Sequence, residues 1–305
     1  MDKKILVMMG GFSSEREVSL VSGKGIVKAL KKSGYEVVSH DLKDMGKFIE
    51  VLQKEKPDVV FNALHGTFGE DGTIQGFLDM MGVAYTHSGL QASAIGMNKV
   101  LTKELCRNIG IGFVPHQVFK AKNLYSFAKS IKIPFVAKPI NEGSSVGVFI
   151  IKTPKDISKI KYDNDEMKIM VEPFVEGKEL TCMVLQDQAY VVTELRPKVA
   201  FYDYKAKYTS GVTEHILPAE IPEDVAETVK DYAIRAHKAL GCNTLSRSDF
   251  RYNPTDGVVF LEINTHPGMT PLSLVPEQAK YAGISYEELC SILVENAICR
   301  KSGKI

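Results

Sequence analysis

The chain has 305 residues, of which 44% are hydrophobic and 25% charged, a balance typical of a soluble globular protein with two or three domains. Its formal net charge is +1, no long basic run occurs, and no apolar run approaches the roughly 18 residues that span a bilayer, so we expect no nucleic acid and no membrane among its partners. The five cysteines are an odd number without a C-x-x-C pair, which predicts reduced thiols in a cytoplasmic protein.

The first part of the chain alternates the patterns of buried strands and amphipathic helices. Strands are predicted at residues 4–9, from residue 35 and at 59–64, and helices at 19–32 and 72–81. Such alternation predicts a parallel sheet, whose binding sites lie at the carboxyl ends of its strands. We therefore expect functional residues in the two segments that follow strands, residues 10–17 and 65–71.

The pattern changes after about Met97. Helices are predicted at 99–108, 222–240 and 286–301, and strands at 115–119, 134–138, 146–151, across 169–193, at 248–252 and at 258–263. The predicted fold is thus an α/β unit followed by α+β structure, without an internal repeat.

Two glycine-rich segments follow the predicted strands. Gly10 and Gly11 let the backbone approach a ligand, and the N-terminus of the helix that follows favours an anion. An ordinary strand-to-helix turn is the alternative, since the sequence has neither a G-x-G-x-x-G nor a Walker A pattern. The second segment, residues 65–72, has three glycines and room for a small ligand, although His65 is equally compatible with a structural role.

Two further segments contain charges suited to a nucleotide. Lys138 ends a predicted strand and precedes a loop of small residues up to Gly147, an arrangement that can neutralise and coordinate a polyphosphate. A flexible hairpin loop is the alternative. Glu172 ends another apolar strand, where its carboxylate can accept hydrogen bonds from a ribose or simply be solvated.

The segments with the most side chains suited to catalysis or metal binding contain Arg247 and Asp249, and Glu262 and Asn264. The period of two in strands places Arg247 and Asp249 on one face, and likewise Glu262 and Asn264. If the two strands pair, Asp249, Glu262 and Asn264 converge as hard oxygen ligands, which suit magnesium together with nucleotide phosphates. A cross-strand salt bridge is the alternative.

Taken in order, these segments resemble the D-alanine–D-alanine ligase family over nearly the whole chain. The resemblance lies in residues 10–19 (GGFSSEREVS), 64–66 (LHG) with 69–72 (GEDG), 138–139 (KP) with 142–147 (EGSSVG), 201–208 (FYDYKAKY), and 262–265 (EINT) with 267–270 (PGMT). It implies an ATP-grasp fold with an N-terminal parallel-sheet α/β domain at 1–97, a central α+β subdomain at 98–180 and a C-terminal α+β domain at 181–305. ATP would lie between the last two.

The implied activity is the ATP-dependent ligation of two D-alanines to D-alanyl-D-alanine for peptidoglycan precursor synthesis. ATP would phosphorylate the first D-alanine, and the amine of the second would attack the resulting D-alanyl phosphate. The resemblance further implies two magnesium ions, for which manganese can substitute, and a cytoplasmic homodimer that acts on D-alanine and ATP.

The resemblance also implies roles for individual residues. The catalytic residues would be Glu15, Ser144, Tyr208, Arg247, Gly268 and Ser273. The ATP-binding residues would be Lys99, Lys138, Ser145, Glu172, Glu179 and Lys207. The two D-alanines would contact Glu15, His65, Ser273 and Leu274, and the metal ligands would be Asp249, Glu262 and Asn264.

Within the catalytic set, Ser144 and Tyr208 would hydrogen-bond with Glu15 and close a loop over the reaction. Arg247 and the backbone amide of Gly268 would stabilise the oxyanion of the tetrahedral intermediate.

Two places depart from the family pattern. His266 stands where a small or apolar residue is expected, and Ser246 and Ser248 flank Arg247 in place of a commoner glycine-containing context. Neither replaces a residue to which chemistry is assigned.

Two alternative functions remain to be weighed. An ATP-grasp ligase for another acid is the nearest, but Tyr208 argues against D-lactate, for which the resemblance implies phenylalanine, and Glu15 argues against a biotin-carboxylase-like enzyme. A nucleotide-binding module without chemistry is disfavoured by the complete set Arg247, Asp249, Glu262 and Asn264.

Overall fold

A computed structural model describes residues 3–144, 146–197 and 213–300, which form three sheets with their helices. The strands of the first sheet are β1 (Lys4–Gly10), β2 (Glu36–Leu42), β3 (Val59–Asn62) and β4 (Ala84–Tyr85). They are parallel, as predicted, in the order β2-β1-β3-β4. The helices beside them are α1 (Arg16–Lys32), α2 (Met45–Glu55), α3 (Thr73–Met81) and α4 (Leu90–Met97).

Strand β1 is buried on both faces, which explains its continuous apolar sequence. Ile5 and Val7 belong to the core that contains α1, whereas Leu6 and Met8 belong to the opposite core, which contains Phe48 of α2. Helices on both faces therefore cover the strand and leave only its carboxyl end open for a site.

Helix α1 begins at Arg16 and not at Ser19, the predicted start. The Ser19 hydroxyl accepts a hydrogen bond from the Gly10 amide at 2.8 Å and donates one to the Ala63 carbonyl at 2.7 Å. Ser19 thus joins the ends of two strands instead of capping the helix.

The second sheet is antiparallel. Its strands are β5 (Gln117–Lys120), β6 (Phe135–Pro139), β7 (Phe149–Ile151) and β8 (Lys168–Pro173), in the order β5-β8-β6-β7. Helix α5 (Lys99–Asn108) precedes it, and α6 (Ala121–Ala128) and a 3-10 helix (Pro154–Lys159) accompany it. The strand predicted at 146–151 shortens to β7, because the Val146 amide donates to the Gly143 carbonyl in a turn and Gly147 has a φ of 67°.

The third sheet is also antiparallel. Its strands are β9 (Lys178–Leu185), β10 (Gln188–Pro197), β11 (Thr213–Ile216), β12 (Leu245–Asn253) and β13 (Gly257–Asn264), in the order β11-β10-β9-β12-β13. Helices α7 (Glu223–Leu240), α8 (Leu274–Tyr281) and α9 (Tyr286–Glu295) complete the unit. One face packs on α5 and α7, and the other shares a core with α1, α8 and α9.

Two predicted boundaries differ from the structure. Residue 180, the predicted end of the central subdomain, lies inside β9, because the chain passes between sheets after Pro173 and before Lys178. Helix α9 ends at Glu295 and not at residue 301, because Ile298 pairs with Tyr85 through backbone hydrogen bonds of 2.8 and 2.9 Å. The last described residues thus return to the edge of the first sheet.

The cysteines are free thiols, as predicted. Burial raises the pKa of Cys106, Cys182 and Cys290 to about 12, which suppresses the reactive thiolate. None of the helices in the described ranges is long and apolar enough to cross a membrane.

Candidate active site

Two adjoining cavities lie where the three sheets meet. The first has a volume of about 120 Å³ and the second about 500 Å³. They share a wall made of Lys99, Glu142, Gly143, Glu179, Asp249 and Glu262, and so form one cleft. Further predicted residues in the first cavity are Glu15, His65, Ser144, Arg247, Asn264, Gly268, Ser273 and Leu274, and in the second Lys138 and Glu172. Ser145, Lys207 and Tyr208 lie outside the described residues.

Glu15 links the first sheet to the second at one end of the cleft. It precedes α1, and only 6% of the residue is exposed. Ser144 Oγ donates a hydrogen bond to Glu15 Oε1, the contact that the family resemblance implies. Ser13 Oγ accepts from the Glu15 amide at 3.2 Å and donates to the His65 carbonyl at 2.6 Å, so the two loops that follow β1 and β3 hold each other.

The loop after β3 supplies two buried titratable groups. Burial lowers the pKa of His65 to about 4, so its imidazole is neutral at pH 7. Burial, and then the charge of Glu15, raises the pKa of Glu70 to about 8, while its Oε1 accepts from the Gly66 amide at 2.9 Å. A Cβ at Gly66 would lie 2.8 Å from Glu15 Oε2, so a larger residue there would displace the carboxylate.

Glu70 is a site residue that the sequence analysis did not single out. Glu70 lines the first cavity, and its raised pKa of about 8 favours the protonated carboxyl group at neutral pH beside Glu15. The available signal was its place between two glycines of the same loop.

His266 belongs to a buried cluster of three imidazoles. Its ring centroid lies 3.9 Å from that of His87 and 5.7 Å from that of His65. Burial, and then the two neighbouring histidines, lowers the pKa of His266 well below its usual range. The residue that departs from the family pattern therefore adds a neutral aromatic ring and no charge.

The loop between β13 and α8 places Gly268 against the start of α8. A Cβ at Gly268 would lie 3.0 Å from Ser273 Oγ, which leaves little room for a side chain. Ser273 Oγ accepts from the Thr270 amide at 3.0 Å, and the Tyr286 hydroxyl donates to the Met269 carbonyl at 2.7 Å. These bonds fix the loop at the wall of the first cavity.

The strands that contain Arg247 and Glu262 pair, which is the condition for the convergence of Asp249, Glu262 and Asn264. In the β12–β13 register, Asp249 lies opposite Glu262, and Arg247 opposite Asn264. Arg247 forms two hydrogen bonds of 3.0 and 2.9 Å with Asp249, and Lys99 Nζ lies 3.3 Å from Glu262 Oε2. The first ion pair lies within one strand and the second joins a helix to a strand, so neither of the two is the cross-strand salt bridge considered as the alternative.

The donor set at this place fits a hard divalent cation. The register gathers carboxylate oxygens of Asp249 and Glu262 and the amide oxygen of Asn264 along the wall of the first cavity. Within the described ranges, no group of three or more His, Cys, Asp or Glu side chains could hold a metal. A magnesium ion there would therefore need Asn264 and ligands from a bound nucleotide to complete its shell.

The second cavity contains a buried cluster of alternating charges. Glu172 Oε1 lies 2.7 Å from Lys138 Nζ, and Glu172 Oε2 forms an ion pair with Lys103. Both carboxylate oxygens thus contact lysines, and the contact of Glu172 with the nucleoside stays a prediction. Lys103 was not singled out, although it lies four residues after Lys99 and hence on the same face of α5. Glu179 pairs with Arg251 at 2.9 Å.

The fold and this cleft define an enzyme of the ATP-grasp class. A family model described as D-ala D-ala ligase N-terminus matches residues 4–57 and 50–88. A second model, described as D-ala D-ala ligase C-terminus, matches residues 105–295. The chain belongs to the D-alanine–D-alanine ligase family.

Relatives and solved structures agree with this assignment. The D-alanine–D-alanine ligase of Zymomonas mobilis is 51% identical, covering 97% of this chain and 95% of the relative. That of Wolbachia pipientis is 46% identical, covering 98% and 95%. The Bacillus anthracis D-alanine–D-alanine ligase complexed with ATP is 30% identical over 97% of each chain, with a TM-score of 0.82. The VanG D-Ala:D-Ser ligase of Enterococcus faecalis is 26% identical over 97% of this chain and 99% of its own, with a TM-score of 0.79.

Proposed function

We propose that this protein ligates two D-alanines to D-alanyl-D-alanine through a D-alanyl phosphate, with ATP converted to ADP and phosphate, in the synthesis of peptidoglycan precursors. The observation that carries this proposal is one cleft that contains both a carboxylate–serine pair (Glu15 and Ser144) and a lysine-lined cavity able to hold a nucleotide.

The first D-alanine binds beside Glu15, whose carboxylate pairs with the substrate ammonium. Glu70 is protonated at neutral pH and His65 is neutral, so Glu15 supplies the local negative charge without competition from a second carboxylate. One oxygen of the D-alanine carboxylate attacks the γ-phosphorus of ATP, and ADP leaves. Lys99 and Lys138 neutralise charge on the phosphates during this step.

The amine of the second D-alanine then attacks the acyl carbon, a proton leaves the nitrogen, and phosphate departs. Arg247 and the Gly268 amide donate hydrogen bonds to the developing oxyanion. Ser273 and Leu274, at the start of α8, border the second D-alanine. Glu172 and Glu179 contact the nucleoside of ATP, Ser145 and Lys207 contact its phosphates, and Tyr208 completes the hydrogen-bonded set with Glu15 and Ser144.

We also propose that Asp249, Glu262 and Asn264 hold two magnesium ions, which manganese can replace. Magnesium supplies charge neutralisation at the phosphates of ATP when it is bound. The oxygen set and its register support this assignment. Further proposals are a homodimer, a cytoplasmic location, and a central ATP-grasp unit that meets the C-terminal unit near Gly177.

The test is ADP release with ATP, magnesium and either D-alanine or L-alanine. We expect magnesium-dependent turnover with D-alanine and little with L-alanine, and Arg247→Met should abolish turnover while nucleotide still binds. Equal turnover with both enantiomers would rule out the proposed function.

A further inference from the structure

Lys103 is a buried lysine behind the wall of the second cavity. Its side chain is fully buried, and its ammonium pairs with Glu172 Oε2 and lies 5.7 Å from the centroid of the Phe113 ring. Lys103 lines neither of the two cavities, whereas Lys138 and Glu172 line the second. Lys103 therefore does not contact a nucleotide there directly, and the residue of the cavity wall with which it forms an ion pair is Glu172.

Glu172 is shared by two ammonium groups, one on each carboxylate oxygen. Burial alone would raise the pKa of Glu172, but the charges of Lys138 and Lys103 lower it to about 2, so the carboxylate is ionised. Burial lowers the pKa of Lys103, and the charge of Glu172 opposes that shift. The three groups thus form one charge-assisted unit.

The net charge of the unit formed by Lys138, Glu172 and Lys103 depends on Lys103. Lys138 and Glu172 alone would add to zero, so the carboxylate would offset the attraction of the Lys138 ammonium for a polyphosphate. With Lys103 the unit has a net charge of +1. Because 3% of the Glu172 side chain and 9% of the Lys138 side chain are exposed, water screens this charge weakly.

We propose that Lys103 is a positioning residue for the nucleotide, which holds one oxygen of Glu172 so that the Lys138 ammonium keeps its positive charge directed at the phosphates. This inference rests on the proposed use of ATP. It makes the carboxylate of Glu172 an internal spacer between two lysines and assigns the recognition of phosphate to Lys138.

The test is a charge-compensation cycle read by calorimetric binding of magnesium ADP and of a non-hydrolysable ATP analogue. Lys103→Met keeps a linear side chain but removes the charge, and should weaken binding of both nucleotides about tenfold. The double variant Lys103→Met/Glu172→Gln restores the sum of +1 through Lys138 and should bind more tightly than Lys103→Met alone. The KM for D-alanine should stay unchanged. Lys155→Met, an exposed lysine in the same unit, is the matched control.

Two results would overturn the inference: wild-type nucleotide affinity in Lys103→Met, or a double variant that binds more weakly than Lys103→Met, as additive structural damage predicts. If Lys103→Met does not fold, the double variant decides, since it leaves no buried carboxylate without a partner; affinity more than about tenfold below wild type would then contradict the inference. If the wild-type protein binds nucleotide but does not turn over D-alanine, the proposed function is contradicted. The effect of Lys103→Met on nucleotide binding can still be interpreted in that case.

Discussion

The hydrogen bond from Ser144 to Glu15 should contribute to the rate of the reaction with the first D-alanine. Ser144→Ala removes the donor without adding bulk, and Glu15 is only 6% exposed, so water replaces the lost bond poorly. Hydrogen bonds to charged groups contribute about 1.5–3 kcal/mol. If the bond persists in the transition state, kcat/KM for the first D-alanine should fall about 10- to 150-fold.

The assay is ADP release as a function of D-alanine concentration at saturating ATP and magnesium. The KM for ATP should stay at its wild-type value, because Ser144 is proposed to act through Glu15 at the amino-acid end of the cleft. Ser126→Ala is the matched control, since Ser126 is exposed on α6 and bonds to the Asn123 carbonyl. A variant with wild-type kcat/KM for D-alanine, or with its whole defect in the KM for ATP, would refute the reasoning.

Three further predictions concern the metal, the pH dependence and the packing of the cleft. Glu262→Gln should raise the magnesium concentration for half-maximal turnover by about tenfold or more, as titrated by activity, with the melting temperature retained. The pKa of Glu70 is raised from 4.5 to about 8, so above pH 4.5 the unfolded chain loses a proton that the folded protein keeps. The free energy of unfolding should therefore fall as the pH rises from 5 to 8. In denaturant titrations of Glu70→Gln, the free energy of unfolding should depend less steeply on pH. Gly177→Ala should destabilise the fold by about 2–4 kcal/mol in the same titrations, because its Cβ would lie 2.2 Å from the Tyr252 carbonyl at a φ of 115°.

Each of the predictions for Glu262, Glu70 and Gly177 would be contradicted by one specific result. Unchanged magnesium dependence in Glu262→Gln would exclude a role as metal ligand. A pH slope of stability in Glu70→Gln equal to that of wild type would show that another group titrates. Gly241→Ala is the control for Gly177→Ala, since Gly241 has a φ of 69° but nothing within 4 Å of an added Cβ, and an equal loss in both would mean that the contact with Tyr252 is unimportant.

Much of the fold could be predicted because strands and helices depend largely on residues that are close together in the sequence. The alternation of strands and helices predicted the parallel sheet, and the pairing of the strands at 248–252 and 258–263, on which the magnesium hypothesis depended, is present. That pairing aligned Asp249 with Glu262, so this part of the site followed from two short segments. Boundaries were predicted less well, since the Ser19 hydroxyl bonds to the ends of two strands and Ile298 pairs with Tyr85 of a distant strand.

The electrostatic state of the site could not be predicted in the same way. Glu172 and Lys103 are 69 positions apart, and only the packing of α5 against β8 makes each the partner of the other. The raised pKa of Glu70 and the lowered pKa of His266 likewise come from burial among groups from several segments. A sequence pattern places a charge in a loop or strand, but the desolvation that sets its protonation depends on the assembled core.

The most direct test of the ligation chemistry follows oxygen-18 from substrate to phosphate. The protein is supplied with ATP, magnesium and D-alanine whose carboxylate oxygens are both oxygen-18, in ordinary water. Attack of the D-alanine carboxylate on ATP, followed by expulsion of phosphate, predicts one oxygen-18 in each phosphate released and one D-alanyl-D-alanine for each ADP. Unlabelled phosphate, or ADP formed without dipeptide, would contradict the D-alanyl phosphate and with it the proposed reaction.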